Sequence, residues 1–338
     1  MSEPESPPGE RTPSEPESPP GERAPSEPGS PRPLPRDRPP RPPGRQPRRR
    51  RFGPPDDRRR LAWLLLSPAI TVMAAVVALP VGWSVWLSLQ RQDLRFGDRR
   101  GFAGLRNYGS VLTSPVFWTD LGATAVLTAV AVAAQVLLGL AIATVLHRST
   151  AGQRVVRTAV LVPYGIVTVV AAFAWQYAFT PDLSFFTDRV WFGERWSAYT
   201  VVILTEVWKH TPFVALLLLA GLAAVPEELL ETARIDGASR WQRVTQVVLP
   251  AIRPVLLLVV LFRLLDTLRL FDTVSVQTGG ASGTRTLSLL AYDQLVDRLN
   301  LGLGSAVSVL LFVLSAAIAL AYLAVFRSDL RQLQGRER

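Results

Sequence analysis

The sequence predicts an all-α, polytopic membrane protein with six transmembrane helices that follow a disordered, Pro- and Arg-rich tail. Several runs of about 20 or more residues are almost free of charge, so each is long enough to cross a hydrocarbon core of about 30 Å. The first of these runs begins only near residue 61. The net charge of +10 is concentrated just before it, because residues 31–60 contain twelve Arg and three Asp.

The amino-terminal segment, residues 1–57, consists mainly of Pro, Glu, Ser, Gly and Arg, and the stretch S-E-P-E-S-P-P-G-E-R occurs at 2–11 and again at 14–23. With almost no apolar side chains to bury, it is predicted to be a disordered cytoplasmic spacer and not a signal peptide. Its basic part has no interleaved aromatic pattern and no nucleic-acid-binding motif. We therefore expect it to contact anionic membrane lipid and no nucleic acid.

The six predicted spans form a membrane domain over residues 58–330, which a short cytoplasmic tail follows at 331–338. The spans are expected at residues 61–89, 120–146, 155–179, 199–224, 254–276 and 303–326. The loop between spans two and three carries only basic charges, whereas the loop between three and four is acidic and has two Trp, so the positive-inside rule places both termini in the cytoplasm. Five arginines in the loop after span one oppose this topology, but the cluster of twelve outweighs them.

Catalytic motifs are missing from the sequence. It has no Cys, a single lysine, Lys209, and two histidines, His147 and His210. A phosphate-binding P-loop needs Gly-Lys-Ser/Thr, and a multi-histidine metal site needs more histidines than two. We predict that this chain is not an enzyme, holds no cofactor or metal, and depends on another chain if ATP drives it.

Charged residues inside spans are costly and are therefore candidates for function. Glu206, Lys209 and His210 are expected within one turn near the outer end of span four. Arg263, Asp266 and Arg269 recur every three residues in span five, with Asp272 after them, and are expected on one helix face. Two interpretations stay open: mutual pairing that holds helices together, or a lining for a translocation path.

Residues 225–250 form an amphipathic island between two apolar segments and are predicted to be two short helices outside the bilayer. Pro226 is expected at the first helical position, Asp236-Gly237 breaks the helix, and Ser239 with Gln242 has the spacing of a capping box. Pro250 is expected to start the next segment. One face of the second helix is predicted to carry Trp241, Val244 and Val248.

The same loop contains Glu231-Thr232-Ala233, three residues, Gly237, nine residues, Val247, one residue and then Leu249-Pro250. This order resembles the E-A-A-x3-G-x9-I-x-L-P signature of ABC-importer permeases, with Thr232 and Val247 as mild departures. The resemblance implies that the loop docks on a cytoplasmic ATP-hydrolysing subunit. It assigns that coupling role to Glu231, Thr232, Ala233, Asp236, Gly237, Ala238, Trp241, Val247, Leu249 and Pro250.

Two further stretches resemble the first-type permease subunit of carbohydrate importers: G-F-A-G-L-R-N-Y at 101–108, and the F-D…T-x-G-G…T…G-x-A-x-S pattern that begins at Phe271-Asp272, with Ala281 where the family usually has Pro. The resemblance implies the type I (MetI-like) permease fold in the cytoplasmic membrane of a prokaryote. The implied cargo is a sugar or oligosaccharide. The implied partners are a second permease subunit, two ATP-binding subunits that carry ATP and Mg²⁺, and an extracytoplasmic solute-binding protein.

Thr278, Gly279 and Gly280 join the candidate translocation path with Glu206, Lys209, Arg263, Asp266, Arg269 and Asp272. Two adjacent glycines permit a tight non-helical backbone at the mouth of such a path, and a plain re-entrant turn would require the same.

Three other functions remain in competition. The same architecture would serve a polyol, a glycerol phosphate ester or a peptide. An ion-coupled secondary transporter should show an inverted repeat, and none is visible between the two halves of the chain. A membrane enzyme is disfavoured by the missing catalytic residues.

Overall fold

The computed structural model describes residues 55–96, 101–148, 153–181 and 189–335. The chain divides into two units, Met1–Trp63 and Leu64–Arg338, and only residues 55–63 of the first are described. The predicted disordered tail therefore lies almost entirely outside the described residues. At the other end the last helix continues to Gly335, into the segment predicted as a carboxyl-terminal tail.

Within the described ranges the chain forms twelve α-helices and one two-stranded antiparallel sheet. The sheet pairs β1 (Gln90–Arg91) with β2 (Gly101–Phe102). The helices are α1 (Pro55–Ser88), α2 (Arg106–Leu112), α3 (Pro115–Arg148), α4 (Gln153–Gly165), α5 (Thr168–Phe179), α6 (Arg195–Ala223), α7 (Glu227–Ile235), α8 (Arg240–Gln242), α9 (Leu249–Thr267), α10 (Asp272–Gln277), α11 (Leu287–Tyr292) and α12 (Leu301–Gly335).

Five helical segments are long and apolar enough to cross a membrane: Arg60–Ser88, Pro115–His147, Arg195–Ala223, Arg240–Thr267 and Leu301–Ala324. A sixth crossing results if the bent pair α4 and α5 counts as one span. The predicted all-α architecture with six membrane segments is thus confirmed.

Span three, predicted at residues 155–179, is not one continuous helix. Its two parts, α4 and α5, meet at an angle of 92°. Pro163 and Gly165 lie at the end of α4, where a missing amide hydrogen and a flexible residue both oppose a continuous helix. Val167 then adopts an extended conformation, with ψ 135°, before α5 begins.

Span five also differs from the predicted range of 254–276 at both ends. Its helix starts at Arg240 and runs through the π-helical turn Arg243–Val248 into α9, so Pro250 lies inside a continuous helix. A π-helical turn just before proline widens the backbone where the proline nitrogen cannot donate. The span then ends at Thr267, and α10 begins after a short break.

The core lies where α3 and α6 pack closely along their lengths. A Cβ atom added to Gly139 would lie 2.6 Å from Cγ1 of Val214, and one added to Gly221 would lie 3.1 Å from Cγ1 of Val255 on α9. Small residues at these crossings let the helix backbones approach each other. The largest buried apolar cluster is Ala143, Leu146, Val214, Leu218, Leu219, Leu222, Val248, Ile252 and Val259.

The two ends of the helical bundle are distinct. At one end, which we call the α7 side, α3 and α6 finish and α8 starts, with α7 between them. At the opposite side the segment after α1 meets the residues just before α12, where the Leu94 amide donates to the Leu299 carbonyl at 2.9 Å. In the same region α2 contacts the end of α1: Nδ2 of Asn107 donates to the carbonyls of Ser88 at 2.7 Å and Gln90 at 2.9 Å.

Candidate functional site

The bend between α7 and α8 has the predicted local chemistry. Gly237 has φ +77°, a conformation that favours glycine, and its amide donates to the Arg234 carbonyl at 3.1 Å. The capping box is present, since Oγ of Ser239 accepts from the Gln242 amide at 3.2 Å and Oε1 of Gln242 accepts from the Ser239 amide at 2.8 Å. The predicted helix break and restart are confirmed. Pro226 was predicted to be the first helical residue of α7, and this is wrong. It precedes the helix, with ψ 132°.

The residues predicted to couple to an ATPase are spread over one bend and one long helix. Residues 231–233 lie on α7, 236–238 form the bend, Trp241 lies on α8, Val247 lies in the π-helical turn, and 249–250 open α9. The side chain of Trp241 is 75% exposed, and that of Ile235 on α7 is 86% exposed. Together they form an exposed apolar surface on the projecting loop.

One detail of that loop was predicted wrongly. Trp241 does not share a face with Val248, which is buried at 8% exposure. The π-helical turn Arg243–Val248 lies between them and changes the angular spacing of the residues that follow, so the period of 3.6 residues does not apply across it.

A cluster of polar side chains is buried among α3, α6, α9 and α10, and Arg263 lies at its centre with 1% exposure. Its guanidinium donates from Nε to Oε1 of Gln135 at 2.9 Å and from Nη2 to Oγ1 of Thr267 at 3.1 Å. It also donates from Nη1 to Oδ2 of Asp266 at 2.5 Å. Arg263 therefore joins α3 to α9 through its own hydrogen bonds.

Glu206 of α6 completes the cluster. Its carboxylate accepts from Oγ1 of Thr273 at 2.5 Å, lies 3.1 Å from Nδ1 of His210 and 4.0 Å from Nη2 of Arg263. Gln135 also donates to its backbone carbonyl at 3.0 Å. Glu206 was expected near the outer end of span four. It lies instead in the interior of α6.

Lys209 is 5% exposed, and its Nζ donates to the Ile166 carbonyl in the break between α4 and α5. The last carbonyls of a helix have no intrahelical donor, and a cation near that end complements the helix dipole. Lys209 thus stabilises the bent form of span three.

The charges of span five were predicted to share one helix face, and this is wrong. Arg263 and Asp266 bond to each other within α9, but Arg269 and Asp272 follow its end at Thr267 and are exposed. The prediction assumed that the helical period of span five continues to Asp272. The spacing of the charges does not show that the helix ends at Thr267.

A tight turn joins α10 to α11, with positive φ at Gly279 (+58°), Gly280 (+81°), Ser282 (+55°) and Gly283 (+69°). This confirms a non-helical backbone at the paired glycines. The turn is held in place because the Tyr199 hydroxyl donates to the Gly283 carbonyl at 2.9 Å.

Arg285, which follows the turn, anchors this end of the chain to α3 and to the segment after α11. Its Nε donates to Oδ2 of Asp120 at 2.7 Å, and its Nη1 lies 3.6 Å from Oδ2 of Asp293. Partial burial raises the pKa of Asp293, and the Arg285 charge opposes that shift.

Sequence reasoning missed several members of these clusters. Gln135 is a lone polar residue in an apolar run, which is the signal that would have found it. Gln277 donates from Nε2 to Oγ1 of Thr205 at 2.7 Å and so fixes α10 against α6, while Thr273 binds Glu206. In the part of the chain that the structure describes, no three or more Cys, His, Asp and Glu side chains are grouped as a metal site would require.

These features define a helical membrane permease: several apolar helices, a polar cluster buried among them, and a projecting two-helix loop at one end. The chain belongs to the family of binding-protein-dependent transport system inner membrane components, whose model matches residues 135–330. The match includes the buried polar cluster and the whole of the loop 225–250.

Curated relatives match over most of their length. The chain is 48% identical over 273 residues to the trehalose transport system permease protein SugA of Mycobacterium tuberculosis, covering 79% of this chain and 89% of that protein. It is 38% identical over 283 residues to the trehalose/maltose transport system permease protein MalF of Thermococcus litoralis, covering 80% and 95%.

A solved structure shares the fold. A chain in the crystal structure of a bacterial ABC transporter that imports the acidic polysaccharide alginate superimposes with a TM-score of 0.69 at 18% identity, covering 80% of this chain and 96% of that one. This structural similarity agrees with the predicted MetI-like permease fold. At 18% identity it is evidence about the fold and not about the solute.

Proposed function

We propose that this chain is the permease subunit of an ATP-driven importer that carries a sugar or oligosaccharide across the cytoplasmic membrane. The observation that carries the cargo class is the identity to two permeases named for trehalose or for trehalose and maltose, at 48% and 38% over nearly their whole length.

The proposed assembly contains a second permease subunit, two ATP-binding subunits that hold ATP and Mg²⁺, and an extracytoplasmic solute-binding protein. The family description supports the binding protein. The α7 side is assigned to the cytoplasm, with both termini, because the twelve arginines before the first span outweigh the five in the loop after it. On that side α7 and the bend at Gly237 project, with Ile235 and Trp241 exposed for contact with an ATP-binding subunit.

The candidate path residues separate into two groups by burial. Glu206, Lys209 and Arg263 are buried and bonded to neighbouring helices, so we propose that they set the shape of the pathway. Asp266, Arg269, Asp272 and Gly279 are exposed and Thr278 and Gly280 are partly exposed, so we propose that these six border it. Exposed polar groups can exchange hydrogen bonds with sugar hydroxyls, whereas neighbouring helices cover the buried side chains.

The first experiment is purification of the tagged chain from membranes, followed by mass spectrometry of the proteins that accompany it. We expect an ATP-binding subunit and a second six-span protein, and we expect Gly237→Pro to lose the ATP-binding subunit while the second permease stays. Isolation of the chain alone would favour a secondary transporter.

The cargo is tested separately, by uptake of radiolabelled disaccharides into cells that express the complete transporter. Saturable, ATP-dependent uptake of a disaccharide is the expected result. Uptake confined to a polyol, a glycerol phosphate ester or a peptide would contradict the sugar assignment and leave the permease assignment intact.

A further inference from the structure

A cavity of about 540 Å³ lies on the α7 side, between the last turns of α3 and α6, α7, and the helix that starts at Arg240. Its floor includes Leu222 and Val248, both members of the largest buried apolar cluster. This volume is in the range of pockets that hold small molecules or headgroups. The cavity is distinct from the polar cluster around Arg263.

Basic side chains border the cavity, and among the described residues three of them have unused hydrogen-bonding groups. Arg243 is half-buried, and its Nε atom is buried with no hydrogen-bond acceptor. Arg240 and His147 also border the cavity, and their side chains make no hydrogen bond or ion pair with any residue that the structure describes. Leaving a buried guanidinium N–H without an acceptor costs free energy, which an anion in the cavity would recover.

The acidic residues of the cavity are all on one wall. Glu227 and Glu231 both belong to α7 and are exposed, and Arg234 of the same helix offsets one of them. The residues that α3 and the helix from Arg240 contribute are basic, hydroxyl-bearing or apolar. An anion therefore meets net positive charge along that second wall.

We propose that this cavity binds a phosphate group, which Arg243 and Arg240 contact. The guanidinium fork matches the geometry of phosphate oxygens, and an apolar floor beside it suits the glycerol part of a phosphate ester. Because the cavity lies where membrane spans end, one source is the headgroup of an anionic phospholipid, and the other is a soluble phosphate ester. This inference does not depend on which solute is carried.

The test uses the full chain with its co-purifying subunits in phosphate-free detergent micelles. In one arm phosphatidylglycerol is titrated, and in the other glycerol 3-phosphate is titrated. Native mass spectrometry counts bound molecules, and the thermal unfolding midpoint gives the half-saturating concentration. Loss of one charge-assisted hydrogen bond predicts that Arg243→Gln raises this concentration about tenfold.

The matched control is Arg298→Gln, which removes the same charge from an exposed residue just before α12, outside the cavity, and should bind as the unchanged protein does. Arg240→Gln serves as a second variant if Arg243→Gln does not fold. If the cavity variants bind phosphatidylglycerol more weakly than the control but show no change with glycerol 3-phosphate, the phosphate belongs to a lipid headgroup. If they bind both compounds more weakly, the site also accepts soluble phosphate esters. If both cavity variants bind as the control does in each arm, the proposal is wrong.

Discussion

Arg263 shows how this membrane interior tolerates a charge. Its guanidinium is almost fully buried, yet Gln135, Asp266 and Thr267 each accept from it, and Glu206 lies at 4.0 Å. Removing a charge from water is expensive, and hydrogen bonds together with a nearby opposite charge offset that cost. Arg263 therefore bonds α9 to α3 and lies close to the Glu206 carboxylate of α6.

A double-mutant cycle measures the bond between α3 and α9. Gln135→Leu and Arg263→Leu are made singly and together, and thermal or denaturant unfolding of the purified protein gives the free energy of unfolding. A hydrogen bond to a charged group predicts a coupling energy of about 1.5–3 kcal/mol. Additive effects of the two changes would show that the 2.9 Å contact contributes nothing.

Lys209 provides a test of the bent span. Lys209→Met keeps the length of the side chain but leaves the Ile166 carbonyl without its donor, which should lower the free energy of unfolding by about 1–3 kcal/mol. Lys209→Gln retains an amide donor and should lose less. Equal stabilities for both variants and the unchanged protein would mean that Lys209 does not hold the break.

At this scale the sequence singled out the interior charges, because a charge in a span is costly, but it left open whether they pair with one another or line a translocation path. It did not predict which residues they pair with. Gln135 and Arg263 are far apart in the chain, and their contact depends on how α3 and α9 cross, which no local pattern encodes.

Gly139 sets the distance between two helices. An added Cβ would lie 2.6 Å from Cγ1 of Val214 and 3.2 Å from the Ala215 amide nitrogen on α6. Val214 and Ala215 are both fully buried, so neither has room to move. The α3–α6 crossing therefore requires glycine at this position.

Gly139→Ala should lower the free energy of unfolding by about 1–3 kcal/mol, because an extra methyl group in a packed core forces helices apart. Gly122→Ala is the matched control on the same helix, where an added Cβ meets nothing within 4 Å. It should be neutral or raise stability by about 0.5–1 kcal/mol, since alanine favours helix. The thermal unfolding midpoints of the two variants, measured in the same detergent and buffer, should shift in opposite directions or by clearly different amounts.

The bend at Gly237 is tested by two substitutions. Gly237→Pro fixes φ near −65° and removes the amide that bonds to Arg234, at a cost of about 3 kcal/mol to the loop. Gly237→Asn should be tolerated, because asparagine enters the left-handed region more readily than other residues. We expect loss of solute-stimulated ATP hydrolysis only with proline. Full stimulation in the proline variant would exclude the loop as the coupling element.

Elements whose limits depend on local chemistry were predicted well, and those that depend on packing were not. The capping box and the glycine at the bend are readable because the residues involved are within four positions of each other. The 92° bend in span three was missed because Pro163 and Gly165 occur in an apolar run, and hydropathy measures length but not direction.

The whole chain combines a membrane domain of six crossings with a tail of different composition. With the bent pair α4 and α5 counted as one span, six crossings return the carboxyl end of α12 to the side where α3 and α6 finish. The number of spans could be predicted although span three is bent and span five had wrong limits, because hydropathy detects each apolar run. Which side of the membrane each terminus occupies stays a prediction from the loop charges.

Deletion of residues 2–45 should preserve membrane insertion and transport, because the deleted residues have almost no apolar surface and the arginines of 48–51 and 58–60 remain to retain the amino end. Protease accessibility of the new terminus checks orientation, and solute uptake checks function. Normal insertion with lost uptake would show that the tail binds a component of the transporter.

The continuous helix from Arg240 to Thr267 has a mechanical consequence. A rod of 28 residues is about 42 Å long, so a tilt of about 5° at the end beside Gly237 moves its far end by roughly 4 Å if the rod stays rigid. Arg263 lies near that far end, bonded to α3. If the loop docks on an ATP-binding subunit as proposed, we expect a displacement of the loop to shift Arg263 relative to α3. We expect the flexibility of the π-helical turn Arg243–Val248 to limit that shift.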